Sequence, residues 1–160
     1  MYKKFHIDSL DKRILLQITK NARMPYLEVA RLCKVSGAAI HQRIQKLTEA
    51  GIISGSRFTL DYGAMGYLTC AYIGLQVNLI ASDTHYDVFE KIKKIPEIVE
   101  CHHVTGKYSL FVKIYAKNNE HLKKIIVEKI QSIVEITNTE TIISLEEGFI
   151  RQLPADIVQE

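Results

Sequence analysis

The apolar positions change period once along the chain, near residue 60. Before that point they recur at helical spacing. Leu10, Ile14 and Ile18 stack on one face of a helix that opens after Asp8, a good N-cap, and stops at Asn21. A second helix opens at Pro25, whose missing N–H needs no partner at a first helical position. It carries Leu27, Val29 and Ala30 and ends near Cys33. The tight turn Lys34-Val35-Ser36 follows, and Ser36 caps a third helix over residues 37–50 that stops at Gly51. On it Ile40, Ile44 and Leu47 lie at i, i+4 and i+7 and face the core. Two short helices joined by so short a turn form a helix-turn-helix, with the third helix as the recognition helix.

Glycine then marks a joint: Gly51, Gly55, Gly63 and Gly66 fall within sixteen residues. A short strand is expected around residues 52–60. From residue 68 the apolar residues run continuously or alternate, which predicts strands over 68–79, 97–104, 108–116 and 136–145. Two helices interrupt them. One is capped by Asp83, points Val88, Phe89, Ile92 and Ile95 inward and stops at Pro96. The other is capped by Asn118 and points Leu122, Ile125, Ile126, Ile130 and Ile133 inward. Strand-helix-strand twice over is the split βαβ, or ferredoxin-like, sandwich. The chain therefore reads as α+β, in three parts. Residues 1–60 form a winged-helix-like helix-turn-helix domain and 61–67 a linker. Residues 68–160 form a ferredoxin-like βαββαβ domain suited to oligomerisation. The strands are apolar at positions of both parities, so the sheet face without helices invites pairing with a second copy. Phe149, Ile150, Leu153 and Ile157 in the tail are placed to pack on a partner.

Composition narrows the classes. A chain of 160 residues, 47% hydrophobic and 24% charged, buries enough surface to fold. Its most apolar stretch, residues 68–80, is broken by Thr69, Gln76 and Asn78 and is too short to span a bilayer. Nothing at the start resembles a signal peptide, and Cys33, Cys70 and Cys101 are odd in number and widely spaced. Reduced thiols in a cytoplasmic protein are expected, with no membrane. The charge is uneven. Residues 1–60 hold 11 Lys and Arg against four Asp and Glu, whereas the remainder holds 10 against 14. Polyanion binding belongs on the first part.

The chemistry follows that division. Gly37, Ala38, His41, Gln42 and Gln45 face outward from the recognition helix and, with Ser36 just before them, are the candidates to contact DNA. Gln pairs bidentately with adenine, His meets base-edge acceptors and Ala packs on a thymine methyl. Arg23, Arg43, Lys46 and Arg57 are suited to phosphates. A plain solvated face has the same polarity, but the tight turn, the capped helices and the local charge favour double-stranded DNA. Cys101-His102-His103 resembles a metal cluster, yet on a strand only Cys101 and His103 share a side, and two ligands make no site. There is no nucleophile elbow, no phosphate-cradling glycine loop and no paired carboxylates. No enzyme activity, cofactor or metal is expected.

The runs Asp8-Ser9-Leu10-Asp11-Lys12-Arg13-Ile14-Leu15, Asn21-Ala22-Arg23, Gln42-Arg43-Ile44-Gln45-Lys46-Leu47 and Glu49-Ala50-Gly51-Ile52-Ile53 resemble the first domain of the Lrp/AsnC (feast/famine) regulators. Val99-Glu100-Cys101-His102-His103-Val104-Thr105-Gly106-Lys107-Tyr108 resembles that family's effector domain. The resemblance covers residues 7–146. It implies a transcription regulator that dimerises through its second domain, assembles to tetramers or octamers, and is modulated by an amino acid or related metabolite bound between second domains. It carries an effector pocket onto Thr105, Gly106, Tyr108 and Ser109, with Thr139 and Thr141 on the last strand. The family commonly has Asp where this chain has Ser109. Two other functions fit the same residues: a DNA-organising, nucleoid-type protein without a metabolite, and an effector-sensing subunit acting on protein partners.

Overall fold

A computed structural model describes residues 5–78 and 85–157. The chain divides into two compact units, residues 1–59 with 149–160, and residues 60–148. In the first unit, α1 (Ser9–Lys20) begins with a reciprocal cap. Asp8 Oδ1 accepts from the N–H groups of Leu10 (2.9 Å) and Asp11 (2.8 Å), while the Asp8 N–H donates to Asp11 Oδ2 at 3.2 Å. Asn21 is the C-cap, and its N–H donates to the Gln17 carbonyl. Helix α2 (Tyr26–Cys33) has Pro25 as its N-cap, one residue earlier in role than its spacing predicts. Lys34 then turns left-handed at φ 54°. The Lys34 N–H donates to the Arg31 carbonyl and the Val35 N–H to Ala30, the paired bonds of a Schellman ending. Ser36 Oγ accepts from Ala39 N–H and starts α3 (Gly37–Glu49). That helix ends in the same way at Gly51, whose φ of 75° favours glycine. Ile14, Val29, Ala30, Cys33 and Ile40 form the core of the three helices.

The strand expected around residues 52–60 does not form. A strand needs a ladder, and among the described residues no backbone hydrogen bond reaches residues 54–60, all of which are exposed. The stretch 61–67, read from the sequence as a linker, folds into turns around Asp61. Its Tyr62 ring packs 4.3 Å from that of Tyr115. The tail, grouped by the sequence with the second domain, clusters with the first unit, because its 3-10 turn Ala155–Ile157 lies against α1.

The second unit is a four-stranded antiparallel sheet of β1 (Thr69–Val77), β2 (Ile98–His103), β3 (Leu110–Ala116) and β4 (Ile136–Ser144). The order is β2-β3-β1-β4, the ferredoxin-like arrangement. Two helices, α4 (His85–Lys93) and α5 (Asn119–Ile125), cover one face, and α5 runs into a π-helical turn at Ile126–Ile130. Asn118 caps α5 through His121 N–H at 2.8 Å, whereas Asp83 lies outside the described residues. Side chains alternate across each strand. Ala71, Ile73 and Leu75 of β1 and Leu110, Val112, Ile114 and Ala116 of β3 therefore meet Val88, Ile92, Leu122 and Ile125 in the core. Tyr72, Gly74 and Gln76 of β1, with Phe111, Lys113 and Tyr115 of β3, take the other face, on which no helix packs among the described residues of the unit.

Candidate functional site

Helical geometry puts Ala38, His41, Gln42 and Gln45 on one stripe of α3, at i, i+3, i+4 and i+7, and all four are exposed. Burial of Ile40 and Leu47, both 0% exposed, fixes which way the stripe points. Gly37 begins it, half-buried. The Ser36 hydroxyl is taken by the helix cap. Gln45 Nε2 donates to Glu49 Oε1 at 2.9 Å, one turn on, and Lys46 stands exposed beside it. Tyr26, which the sequence did not single out, sets its ring edge-on to His41 with centroids 4.7 Å apart. Its position as first residue of α2 was the available signal.

The four basic residues separate. Arg23 and Arg57 are exposed, and the Arg23 guanidinium lies 4.3 Å over the Phe58 ring. Asn21 Oδ1 accepts from the Arg23 backbone N–H at 2.9 Å, which holds the turn. Arg43 is engaged elsewhere. Its guanidinium donates to Asp8 and, at 3.2 Å, to Asp11, whose side chain is only 2% exposed. Through this pair α3 is tied to the capped end of α1. The Asp11 N–H bond, the Arg43 contact and its charge hold the Asp8 carboxyl below the usual carboxylate range, against the cost of burial. Arg43 is raised in turn by the Asp8 bond.

In the second unit, Thr105, Gly106, Tyr108 and Ser109 lie together on the β2–β3 connection. The Val104 N–H donates to the Ser109 carbonyl at 3.1 Å and closes it, with Gly106 at φ 102°. Thr139 and Thr141 do not join them. They pair with Leu75 and Ile73, so they share the helix-covered side of the sheet, and Gln131 Nε2 donates to Thr139 Oγ1 at 3.0 Å. The residue the register brings to Tyr108 is Glu140, opposite Gly74 on the open face. Lys107 Nζ donates to the Glu140 carboxylate and stands 5.1 Å from the Tyr108 ring centroid. Strand register, invisible before β1 and β4 are paired, explains why Glu140 and Gly74 escaped the sequence reading. Ser109, in the place of the family's aspartate, has its Oγ occupied by the Val77 N–H at 3.3 Å.

The open face also holds Lys113, 5% exposed, between the rings of Tyr72 and Tyr115 and 3.6 Å from Glu147. Burial works to neutralise its ammonium, but the Tyr115 hydroxyl and neighbouring groups keep it charged. Burial pushes the Cys101 thiol up to about 11 and raises Cys70 as well, so neither is a ready thiolate. Cys101 faces the core, while His102 shares the open side with Glu100. Among the described residues no group of three or more His, Cys, Asp or Glu gathers as a metal site, and no helix is long and apolar enough to cross a membrane.

Residues 7–54 match the winged helix-turn-helix DNA-binding family and residues 70–152 the Lrp/AsnC ligand binding domain. The chain is 38% identical over 149 residues to the regulatory protein AsnC of Haemophilus influenzae, spanning 92% of this chain and 97% of that one. This chain belongs to the Lrp/AsnC family of transcriptional regulators. AsnC of Escherichia coli K12 is 35% identical over 92% of this chain and 95% of its own. A solved structure of E. coli AsnC superposes with a TM-score of 0.86 at 33% identity, covering 94% of this chain and 99% of that one. The Neisseria meningitidis regulator NMB0573, solved as an L-Met complex, shares the fold at 19% identity, with a TM-score of 0.86 over 91% of this chain and 94% of its own. The Lrp/AsnC chain is thus a DNA-binding transcriptional regulator that carries its family's ligand-binding domain.

Proposed function

We propose that this regulator reads its operators through the α3 stripe and is modulated by a free amino acid bound in its second unit. The observation that carries the first half is the exposed Ala38-His41-Gln42-Gln45 stripe, with Lys46 beside it on α3 and the exposed Arg23 and Arg57 elsewhere in the same unit. Its side chains have the donors and methyl groups that major-groove edges require, and the cations suit the flanking phosphates. Arg43 is assigned a positioning role, because its guanidinium is spent on Asp8 and Asp11. Residues 1–60 serve DNA and residues 68–148 serve the effector and self-association.

The open sheet face supports a homodimer, and pairs of dimers extend it to tetramers or octamers. Tyr72 and Phe111 stack there with centroids 6.0 Å apart, and Ile142 of β4 lies 50% exposed opposite Tyr72. Covering such a surface gains hydrophobic free energy. A two-fold assembly also presents two recognition helices to two half-sites. The protein acts in the cytoplasm on double-stranded DNA, by binding and not by catalysis. The L-Met bound to NMB0573 is an example of the effector class.

Binding-site selection on the intact protein tests the readout. Wild type should recover a discrete, two-fold related sequence. Gln42→Ala should relax the preference at one base pair per half-site, by about 1–3 kcal/mol. The same consensus from both proteins would remove Gln42 from the interface.

A further inference from the structure

Tyr26 opens α2 and stands three, four and seven residues before Val29, Ala30 and Cys33, so it shares the stripe by which α2 packs on α3. Those three residues are buried with Ile40 of α3, whereas Tyr26, at the outer end of the stripe, stays 38% exposed. Its backbone is fixed by the start of the helix, where the Pro25 carbonyl accepts from the Glu28 N–H at 2.8 Å and the Val29 N–H at 3.1 Å. The residue after Ile40 is His41, and the Tyr26 ring meets it edge-on, with centroids 4.7 Å apart and planes at 77°. That is a favoured geometry for two aromatic rings. The rest of the stripe is held differently. Gln45 Nε2 is tied to Glu49 of its own helix, and Ala38 has no polar group to aim. Among the described residues no hydrogen bond or ring contact holds Gln42. His41 is therefore the polar stripe residue whose direction is set by a second helix.

We propose that Tyr26 is a positioning residue for base readout, whose ring holds the His41 imidazole in the direction from which it donates to a guanine edge in the major groove. This rests on the reading that α3 contacts DNA, and it names the two residues that write the preference at one base pair. A side chain ordered before DNA arrives loses less freedom on binding, and a ring packed against the imidazole removes part of that freedom in advance. Tyrosine suits the task, because it is itself stiff and its helix is anchored by the buried end of the stripe. A ring N–H is a donor, and guanine presents two acceptors, N7 and O6, where adenine offers one acceptor beside a donor. The contact is ring to ring, so it does not need the Tyr26 hydroxyl. Tyr26 brings no charge and releases no counterion, so its contribution is to sequence preference and not to general affinity.

Selection from a random-sequence duplex pool tests this on the full-length protein. The variants are Tyr26→Phe, Tyr26→Leu, His41→Ala and the double variant of the last two, each confirmed folded by circular dichroism. His41→Ala should relax the preference at one base pair per half-site by about five-fold or more. Tyr26→Leu should relax the same base pair, by about two- to ten-fold. The double variant should lose no more than His41→Ala alone, because the two residues act as one. Tyr26→Phe should keep the wild-type consensus, and all four should keep the wild-type slope of log affinity against log salt. A wild-type consensus from Tyr26→Leu beside a relaxed one from His41→Ala would overturn the positioning role and leave the α3 reading intact. Additive losses in the double variant would do the same, as would a Tyr26→Phe protein that binds all sequences more weakly, since the hydroxyl would then be a backbone contact. An unchanged consensus from His41→Ala would remove the group that Tyr26 positions. If Gln42→Ala is unchanged as well, the α3 reading falls with it.

Discussion

The α3 stripe and the cluster around Tyr108 in this regulator are built in opposite ways. The first is one helix. Ala38, His41, Gln42 and Gln45 lie within eight residues of sequence, and the buried Ile40 and Leu47 between them set their direction. The second is assembled across strands, with Gly74, Lys107, Tyr108 and Glu140 drawn from β1, a turn and β4. A helical face is a local property of period 3.6, whereas a sheet face depends on which strands pair and in what register. The first kind of site tolerates changes elsewhere so long as its helix is held. The second is sensitive to any change in pairing.

That contrast breaks most visibly through assembly. Phe111→Glu puts a charge on the open sheet face without touching the helix-covered core. Sedimentation should show the oligomer replaced by monomer. Operator affinity should fall by roughly two orders of magnitude, because two half-sites are no longer held at high effective concentration. An unchanged sedimentation profile would mean that self-association uses another surface. A cavity in the first unit should do the reverse. Ile40→Ala removes a fully buried side chain from the three-helix core and should cost about 2–5 kcal/mol. Thermal unfolding should show an early transition for the DNA-binding unit, with self-association kept. A single transition shifted as a whole would show that the two units unfold together.

The Arg43 pair sharpens the comparison further, since it is a long-range tie between α3 and the start of α1. Arg43→Met should destabilise the first unit by about 1–3 kcal/mol at pH 7, because it leaves the Asp11 carboxylate with less satisfaction. The effect depends on pH. A carboxyl whose folded pKa is lowered contributes stability above its unfolded value of about 3.9, and that contribution is lost as pH falls through the folded value. The difference between wild type and Arg43→Met should therefore shrink below about pH 4, as read by denaturant unfolding. A difference constant down to pH 2 would deny Asp8 its part. The smallest effect is local. Lys34→Gly relieves a left-handed φ of 54° and should stabilise the first unit by about 0.5–1 kcal/mol. Calorimetry showing destabilisation would indicate that the Lys34 side chain is itself engaged.

Much of the architecture was already written in local signals. Asp8, Asn21, Ser36, Gly51 and Asn118 end or begin helices where the sequence puts them, because a cap needs only its neighbours' backbone N–H and C=O groups. The strands begin and end within a few residues of their predicted bounds, and their alternation already separates Ile73 from Tyr72. The segment at 52–60 shows the limit: β-forming composition makes no strand without a partner ladder.

What the sequence determined by itself is the order of elements, the stripe on α3 and the uneven charge, all of which depend on residues close along the chain. Tertiary structure alone decided three things. It set Arg43 against Asp8 and Asp11, across 35 and 32 residues. It sent Thr139 and Thr141 to the helix-covered side. It brought Glu140 to Lys107, 33 residues away in the chain. The physical reason is common to all three. A charge or hydroxyl finds its partner by distance in space, and that distance is fixed by strand register and helix packing, which no local pattern encodes.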